Sequence, residues 1–169
     1  EQGFGTFTFP RAEASYKKYF MLHQRPDGSG RHTLGFTNKV GFSGPDTPIY
    51  EHFFAGGNAT LRGFEFRGAS PKDMGVTVGG EFMFLGSVEY IFPISADDMF
   101  KGAIFCDYGT VEEKIALDWD SFRVAPGLGL RISVPALGPA PIALDFAFPV
   151  AMADTDDEQM FSFFVGMGR

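Results

Sequence analysis

Ser121 to Val134 reads SFRVAPGLGLRISV and sorts by parity, without a fault, into two unlike sets. Phe122, Val124, Pro126, Leu128, Leu130, Ile132 and Val134 fall on one side; Arg123, Ala125, Gly127, Gly129, Arg131 and Ser133 fall on the other. Alternation at period two marks a strand whose faces meet different surroundings. A soluble sandwich hides its apolar face and turns one rich in Lys, Glu and Thr to water. Here the second face is small and glycine-rich with isolated charges, while the first is almost purely large and apolar. That is the pattern of a strand with lipid on one side and a polar interior on the other.

The same sorting recurs outward from this stretch. Arg31 to Phe42 sets Leu34, Phe36, Val40 and Phe42 against Thr33, Gly35, Thr37, Lys39 and Gly41. Gly80 to Phe92 sets Phe82, Phe84, Val88, Tyr90 and Phe92 against Glu81, Met83, Leu85, Ser87 and Glu89. In Met99 to Gly109, Phe100, Ile104, Cys106 and Tyr108 oppose Lys101, Ala103, Phe105 and Asp107. Ile142, Leu144, Phe146 and Phe148 oppose Ala143, Asp145 and Ala147, and a last strand puts Phe161, Phe163, Val165 and Met167 against Ser162, Phe164, Gly166 and Gly168. Gly3 to Leu22 is less regular, because Phe7 and Phe9 share one parity and Ala12, Ala14, Tyr16, Phe20 and Leu22 the other; a bulge near Pro10 reconciles them. Short turns at Arg25 to Gly30 and Pro93 to Asp97 alternate with longer connections. About seven strands, each of roughly ten residues, predict an all-β, transmembrane antiparallel β-barrel segment. An open edge in lipid leaves backbone groups unpaired, so a strand count that is odd predicts either one further strand in this stretch or a barrel part of which lies before residue 1.

Composition narrows the alternatives. With 21 Phe and 22 Gly in 169 residues, the chain is strand- and turn-forming material. No run of about 18 apolar residues occurs, so a helical span is excluded. The net charge of -7 comes without a basic cluster, which argues against nucleic acid as a partner. A single cysteine, Cys106, excludes an internal disulfide and reads as a small apolar residue on the outward face. His23, His32 and His52 lack ligand spacing, so no metal or other cofactor is expected.

One segment breaks the pattern. From about residue 43 to 78 the alternation lapses over a connection far longer than usual, and loops of such length are disordered or functional. It contains FFAGGNATLRGFEF, Phe53 to Phe66, in which Arg62 sits among Gly56, Gly57 and Gly63. A permanently charged planar fork on a loop that enters a confined interior needs carboxylates to receive it.

Taken together, FFAGG (53–57), LRGF (61–64), GGEF (79–82), GSVEY (86–90), IFCDYG (104–109), GLGLR (127–131), ALDFAFP (143–149) and FSFFVGMG (161–168) resemble, in order, the C-terminal part of the BamA family of outer-membrane assembly factors, within the bacterial surface antigen superfamily. The resemblance implies that residues 1–169 supply the C-terminal half of a sixteen-stranded barrel, with seven or eight strands here. It implies that the loop at about 43–78 folds into the lumen. The loop motif is Leu61, Arg62, Gly63 and Phe64, with Leu61 where Val is commoner. Its Arg meets acids on the two following strands, which here are Glu89 and Asp107, and parity independently puts both on the small, inward face. Counted from the Pro93 to Asp97 turn, however, the two acids stand at different heights, so that Arg62 need not touch both equally and water bridges the farther one.

The function implied is insertion of other β-barrels into the outer membrane of a Gram-negative-type envelope, without covalent chemistry. A weak seam between first and last strands opens and templates incoming strands; Phe161, Phe163, Gly166 and Gly168 lie on that seam strand. The implied partners are the lipid bilayer, nascent outer-membrane β-barrel proteins, upstream POTRA domains and accessory assembly proteins. A secretion or translocation pore of the same superfamily, and the barrel anchor of a membrane-bound lipase, are the alternatives. Glu89 and Asp107 as an acid and base pair is a weaker reading, and no nucleophile-elbow motif is present. For the lipid face the expectation is Phe84, Ile104, Leu130 and Phe146, with Leu130→Arg costly and the inward Gly129→Ser mild.

Overall fold

A computed structural model describes residues 8–116, 118–133 and 141–166. The strands are β1 (Arg11–His23), β2 (His32–Ser43), β3 (Gly63–Phe64), β4 (Lys72–Asp73), β5 (Val76–Thr77), β6 (Phe82–Pro93), β7 (Phe100–Glu112), β8 (Arg123–Ile132), β9 (Ile142–Ala147), β10 (Glu158–Gln159) and β11 (Phe161–Val165). Seven of them form one antiparallel sheet in the order β1-β2-β6-β7-β8-β9-β11; β3 pairs with β10, and β4 with β5, outside it. Among the described residues β1 and β11 do not pair, so the sheet is open at both edges.

The two faces differ as their side chains require. Met83, Leu85, Phe105, Val111, Ala125 and Ala147 are buried beneath Phe53, Ala55, Leu61, Phe64 and Ala69 of the long β2–β6 connection, and this contact is the core of the molecule. The opposite face leaves Ile104 50%, Leu128 58% and Phe146 51% exposed. Phe84 and Leu130 share that face and are half-buried by their neighbours. A contiguous face of large apolar residues turned away from the core is what a barrel offers to lipid.

Glycines on the sheet are matched by rings directly across the ladder. Tyr19 pairs with Gly35, Tyr108 with Gly86, Phe92 with Gly102 and Phe105 with Gly127. In each case the ring lies over its glycine, which both fills the gap and pins the register. Over Gly86 the Tyr108 ring reaches Asn38 Oδ1 with its hydroxyl at 2.9 Å, so a polar side chain on the outward face has a partner. A Cβ at residue 86 would stand 2.2 Å from that ring. Gly86→Ala is therefore expected to lose about 1–3 kcal/mol in an unfolding titration in bilayers, the usual cost of overpacking. Asn38→Ala should cost less, since it leaves the ring in place.

Several boundaries differ from expectation. β1 pairs with β2 without interruption from Arg11 to Met21, and its irregularity lies between Met21 and His23, not near Pro10. Paired to β2 residue for residue from Arg11 to Met21, β1 keeps one parity over that span. β7 runs on to Glu112, whose partner is Phe82. β8 begins at Arg123 because Phe122 has left the ladder to stack near Trp119, with ring centroids 5.5 Å apart, and Ser121 bonds back to Asp118 O at 3.1 Å and to Glu112. Gly3 to Phe7, Val134, residues 135–140, Met167, Gly168 and Arg169 lie outside the described residues.

Candidate functional site: a buried arginine cluster on the inner face

Glycine geometry brings the loop motif onto the sheet. Gly56 adopts φ 115°, and a Cβ there would lie 2.2 Å from Glu65 O, so no other residue fits this turn. Gly63 has φ 97° and packs where a Cβ would touch Pro149, Ala125 and Ala147. Leu61 and Phe64, 0% and 1% exposed, bury their side chains in the core on either side of the turn, and Arg62 between them is driven to the floor of the inner face.

There the guanidinium, 2% exposed, uses all its donors. Nε and Nη2 hold Asp107 Oδ2 and Oδ1 at 2.8 and 2.9 Å, a bidentate fork. Nη1 reaches Glu89 Oε2 at 2.7 Å and Asp145 Oδ2 at 3.3 Å, and Nη2 also meets Ser87 Oγ at 3.4 Å. The backbone N–H of Arg62 donates to Asp107 Oδ2 at 3.1 Å, so the acid grips the loop's main chain as well as its side chain. Phe105 lies flat below, with its ring centroid 3.3 Å from Arg62 Cζ. Burial alone would lower the proton affinity of Arg62. The hydrogen bond and charge of Asp107, then those of Glu89, more than reverse this, so its pKa is raised and the cation is permanent.

Register explains why both sequence-proposed acids touch Arg62. Pro93 pairs with Lys101, so the turn between β6 and β7 is centred later than Pro93 to Asp97. Ser87 then opposes Asp107, and Glu89 opposes Phe105 one step away on the same face. The acids are diagonal neighbours, so the difference in height shrinks to two residues; Arg62 touches them unequally, as expected, but both contacts are direct and no water is needed.

Four participants were not singled out from sequence, the first being Ser87, which donates to Asp107 Oδ1 at 2.6 Å. Asp145, on β9, takes Arg62 on one oxygen and Arg131 Nη1 on the other at 2.5 Å. Arg131, on β8, also reaches Glu89 Oε2 at 3.1 Å, closing a ring of two guanidiniums and two carboxylates around Asp107's fork. Phe105 is the platform. Each lies on the inward parity read from sequence, so the signal was there; strand order placed β9 within reach, and parity alone does not give that. The ring bears on Gly129→Ser, expected from parity alone to be mild. A Cβ at Gly129 would stand 2.1 Å from Asp145 Oδ1 and 2.6 Å from Arg131 Nη1, inside the ion pair.

Of the residues expected on a seam strand, Phe161 pairs with Phe146 and Phe163 with Leu144, both outward, while Gly166 lies just past the ladder and bonds through its N–H to Pro141 O at 3.1 Å. Gly168 lies outside the described residues. A second buried pair, also unanticipated, joins Arg123 Nε and Nη2 to Asp156 at 2.9 and 2.8 Å. Among the described residues no group of His, Cys, Asp and Glu is disposed to hold a metal ion. The inner face borders a cavity of about 580 Å³ whose walls include Lys17, Lys39, Arg62, Glu89 and Arg131.

What the cluster does chemically is ion pairing: every acid in it accepts from a guanidinium, and the product is a long loop tied directly to β6, β7 and β9, with β8 joined through Arg131. Comparison with known proteins finds the same architecture elsewhere. The crystal structure of BamA from Haemophilus ducreyi lacking POTRA domains 1-3 matches 92% of this chain and 34% of that one with a TM-score of 0.76, at 19% identity. The outer membrane protein assembly factor BamA of Nitratidesulfovibrio vulgaris is 28% identical over 128 residues, 73% of this chain and 16% of that protein. The SAM50-like protein CG7639 of Drosophila melanogaster is 27% identical over 113 residues, 64% of this chain and 25% of that protein. This chain thus matches only a minor part of either curated relative's length. The Omp85 superfamily domain matches residues 1–168; with the open antiparallel sheet, its lipid-suited outer face and its loop-filled inner face, this places the chain in the Omp85 superfamily, as a segment of an outer-membrane β-barrel.

Proposed function

We propose that this chain is the C-terminal part of a barrel that inserts other β-barrel proteins into the outer membrane, by strand templating at a weak seam and without covalent chemistry. The observation that carries the reading is the state of β11. Among the described residues it pairs with β9 alone, over five residue pairs from Phe161↔Phe146 to Val165↔Ile142, whereas β6 and β7 share a ladder from Phe82↔Glu112 to Pro93↔Lys101. A short edge strand exposes backbone donors and acceptors to any incoming strand, and its own pairing is the cheapest in the sheet to exchange. Two relatives, an assembly factor and a SAM50-like protein, support the same reading.

In this reading residues 1–169 act as one barrel segment, the outward face meets the bilayer, and Leu61, Arg62, Gly63 and Phe64 with Glu89 and Asp107 keep the inner loop seated beside the seam. The partners are the bilayer, nascent β-barrel chains, upstream POTRA domains and accessory assembly proteins.

The test is a reversible cross-link in the full-length protein, between a cysteine replacing Val165 and one on the facing first strand of the barrel, with Cys106→Ser as background. Insertion of a β-barrel client into vesicles should stop when the link is closed and recover on reduction. Undiminished insertion with the link closed would overturn the templating mechanism.

A further inference from the structure

The long loop and the last strand are joined by a connection that neither the arginine cluster nor the sheet requires. Met160 alone separates β10 from β11. β10 does not join the sheet; it turns inward and pairs with β3, placing Glu158 opposite Phe64 and Gln159 opposite Gly63, next to Arg62. The backbone continues the contact, with Glu65 N donating to Asp157 O at 2.9 Å and Asp157 N to Gly68 O at 3.1 Å. Lys72 Nζ closes the outer end on Thr155 O and Asp157 Oδ2, both at 2.6 Å.

From below, the bidentate Arg123–Asp156 pair anchors the same segment, and Asp156 Oδ2 also accepts Ala153 N at 2.9 Å. A side chain adds a second tie: Asp145, which holds Arg62 at 3.3 Å, belongs to β9, the one described neighbour of β11. The loop motif is therefore fastened by main chain and by side chain to the terminal hairpin.

The mechanics follow from chain stiffness. One extended residue covers about 3.3 Å, so Met160 has almost no slack to absorb a displacement of β11. A ladder of two residues is the weakest element in that line. We propose that β10 couples the seam strand to the seating of Arg62: β11 leaving its place draws β10 off β3 and loosens the loop, and unseating Arg62 in turn loosens β11. The second half follows from the first, because coupling between two sites is reciprocal. The assignment of β11 as the seam rests on the function proposed above; the test reads local opening, not client insertion, so the two fail separately.

Amide hydrogen exchange on the full-length protein in bilayers tests it. Lys72→Ala, which frees the outer end of the ladder, should speed exchange both in 61–69 and in 161–166, by about 5–150-fold, the range of ordinary coupling. Residues 83–91, inside the sheet, should not change. Arg62→Lys should speed exchange in 158–165. Asp156→Asn should act as Lys72→Ala does and more strongly; if it unfolds the protein, Lys72→Ala still decides. Faster exchange in 61–69 with none in 161–166, or none in 158–165 on Arg62→Lys, would overturn the coupling.

Discussion

Arg62→Ala is expected to be the most damaging single substitution in this chain, costing about 3–5 kcal/mol, the range for removing one partner from a buried ion pair. The figure comes from what remains: Asp107, wholly buried, would lose its fork, and Glu89 and Asp145 would be left with Arg131 alone. Arg62→Lys keeps the charge but replaces five directed N–H groups with three on one nitrogen. A single ammonium cannot span both Asp107 oxygens and reach Glu89, so this variant should fall between the wild type and Arg62→Ala. Double-mutant cycles in bilayer unfolding titrations separate the contacts. Coupling of Arg62→Ala should be largest with Asp107→Asn, which receives three of the arginine's bonds including the backbone one. It should be smaller with Glu89→Gln, whose side chain is 24% exposed, and smallest with Asp145→Asn, shared with Arg131. Coupling near zero with Asp107→Asn would mean that the loop is held by its apolar residues alone.

Leu130→Arg should cost about 2–4 kcal/mol if it lies near the bilayer midplane, as charged residues on the lipid face of a barrel do. Its neighbour Gly129→Ser is expected to cost about 1–3 kcal/mol by an unrelated route, overpacking into the Arg131–Asp145 pair. Size alone does not distinguish these routes, but additivity does. The Gly129→Ser penalty should shrink when Asp145→Ala is already present, because the carboxylate it presses on is gone. Leu130→Arg points to the other face, and its penalty should simply add. Additive behaviour at both positions would show that Gly129 does not press on the ion pair.

The fold was legible because a barrel wall imposes period two on its sequence. Phe84, Ile104, Leu128 and Phe146 declare the outward face, and Met83, Phe105, Ala125 and Asp145 the inward one, whatever the chain does elsewhere. Parity thus assigned Glu89 and Asp107 to the same side as the loop. The ends of strands were less legible: Phe122 fits the β8 alternation as well as Val124 does, yet Trp119 and a turn take it, since a terminal residue gains more from a ring contact than from one more ladder position.

The sequence by itself determined the all-β segment, its two chemically distinct faces, the long loop with its glycine turn, and Arg62 as a cation in need of carboxylates. These follow from local rules of period, turn chemistry and unpaired charge. Only the tertiary structure decided which carboxylates receive it and how. The height at which Glu89 and Asp107 meet depends on the β6–β7 register, which is set by pairing along the whole ladder and cannot be counted from a turn. Asp145 and Arg131 enter because β9 and β8 follow β7 in the sheet, and β10 leaves the sheet for β3 because the loop already fills the inner face beside it. Contacts such as Arg62–Asp107 and Arg62–Asp145, 45 and 83 positions apart in the chain, carry no periodic signature; they exist where the folded sheet brings distant strands together, and that is where this protein keeps its buried charge.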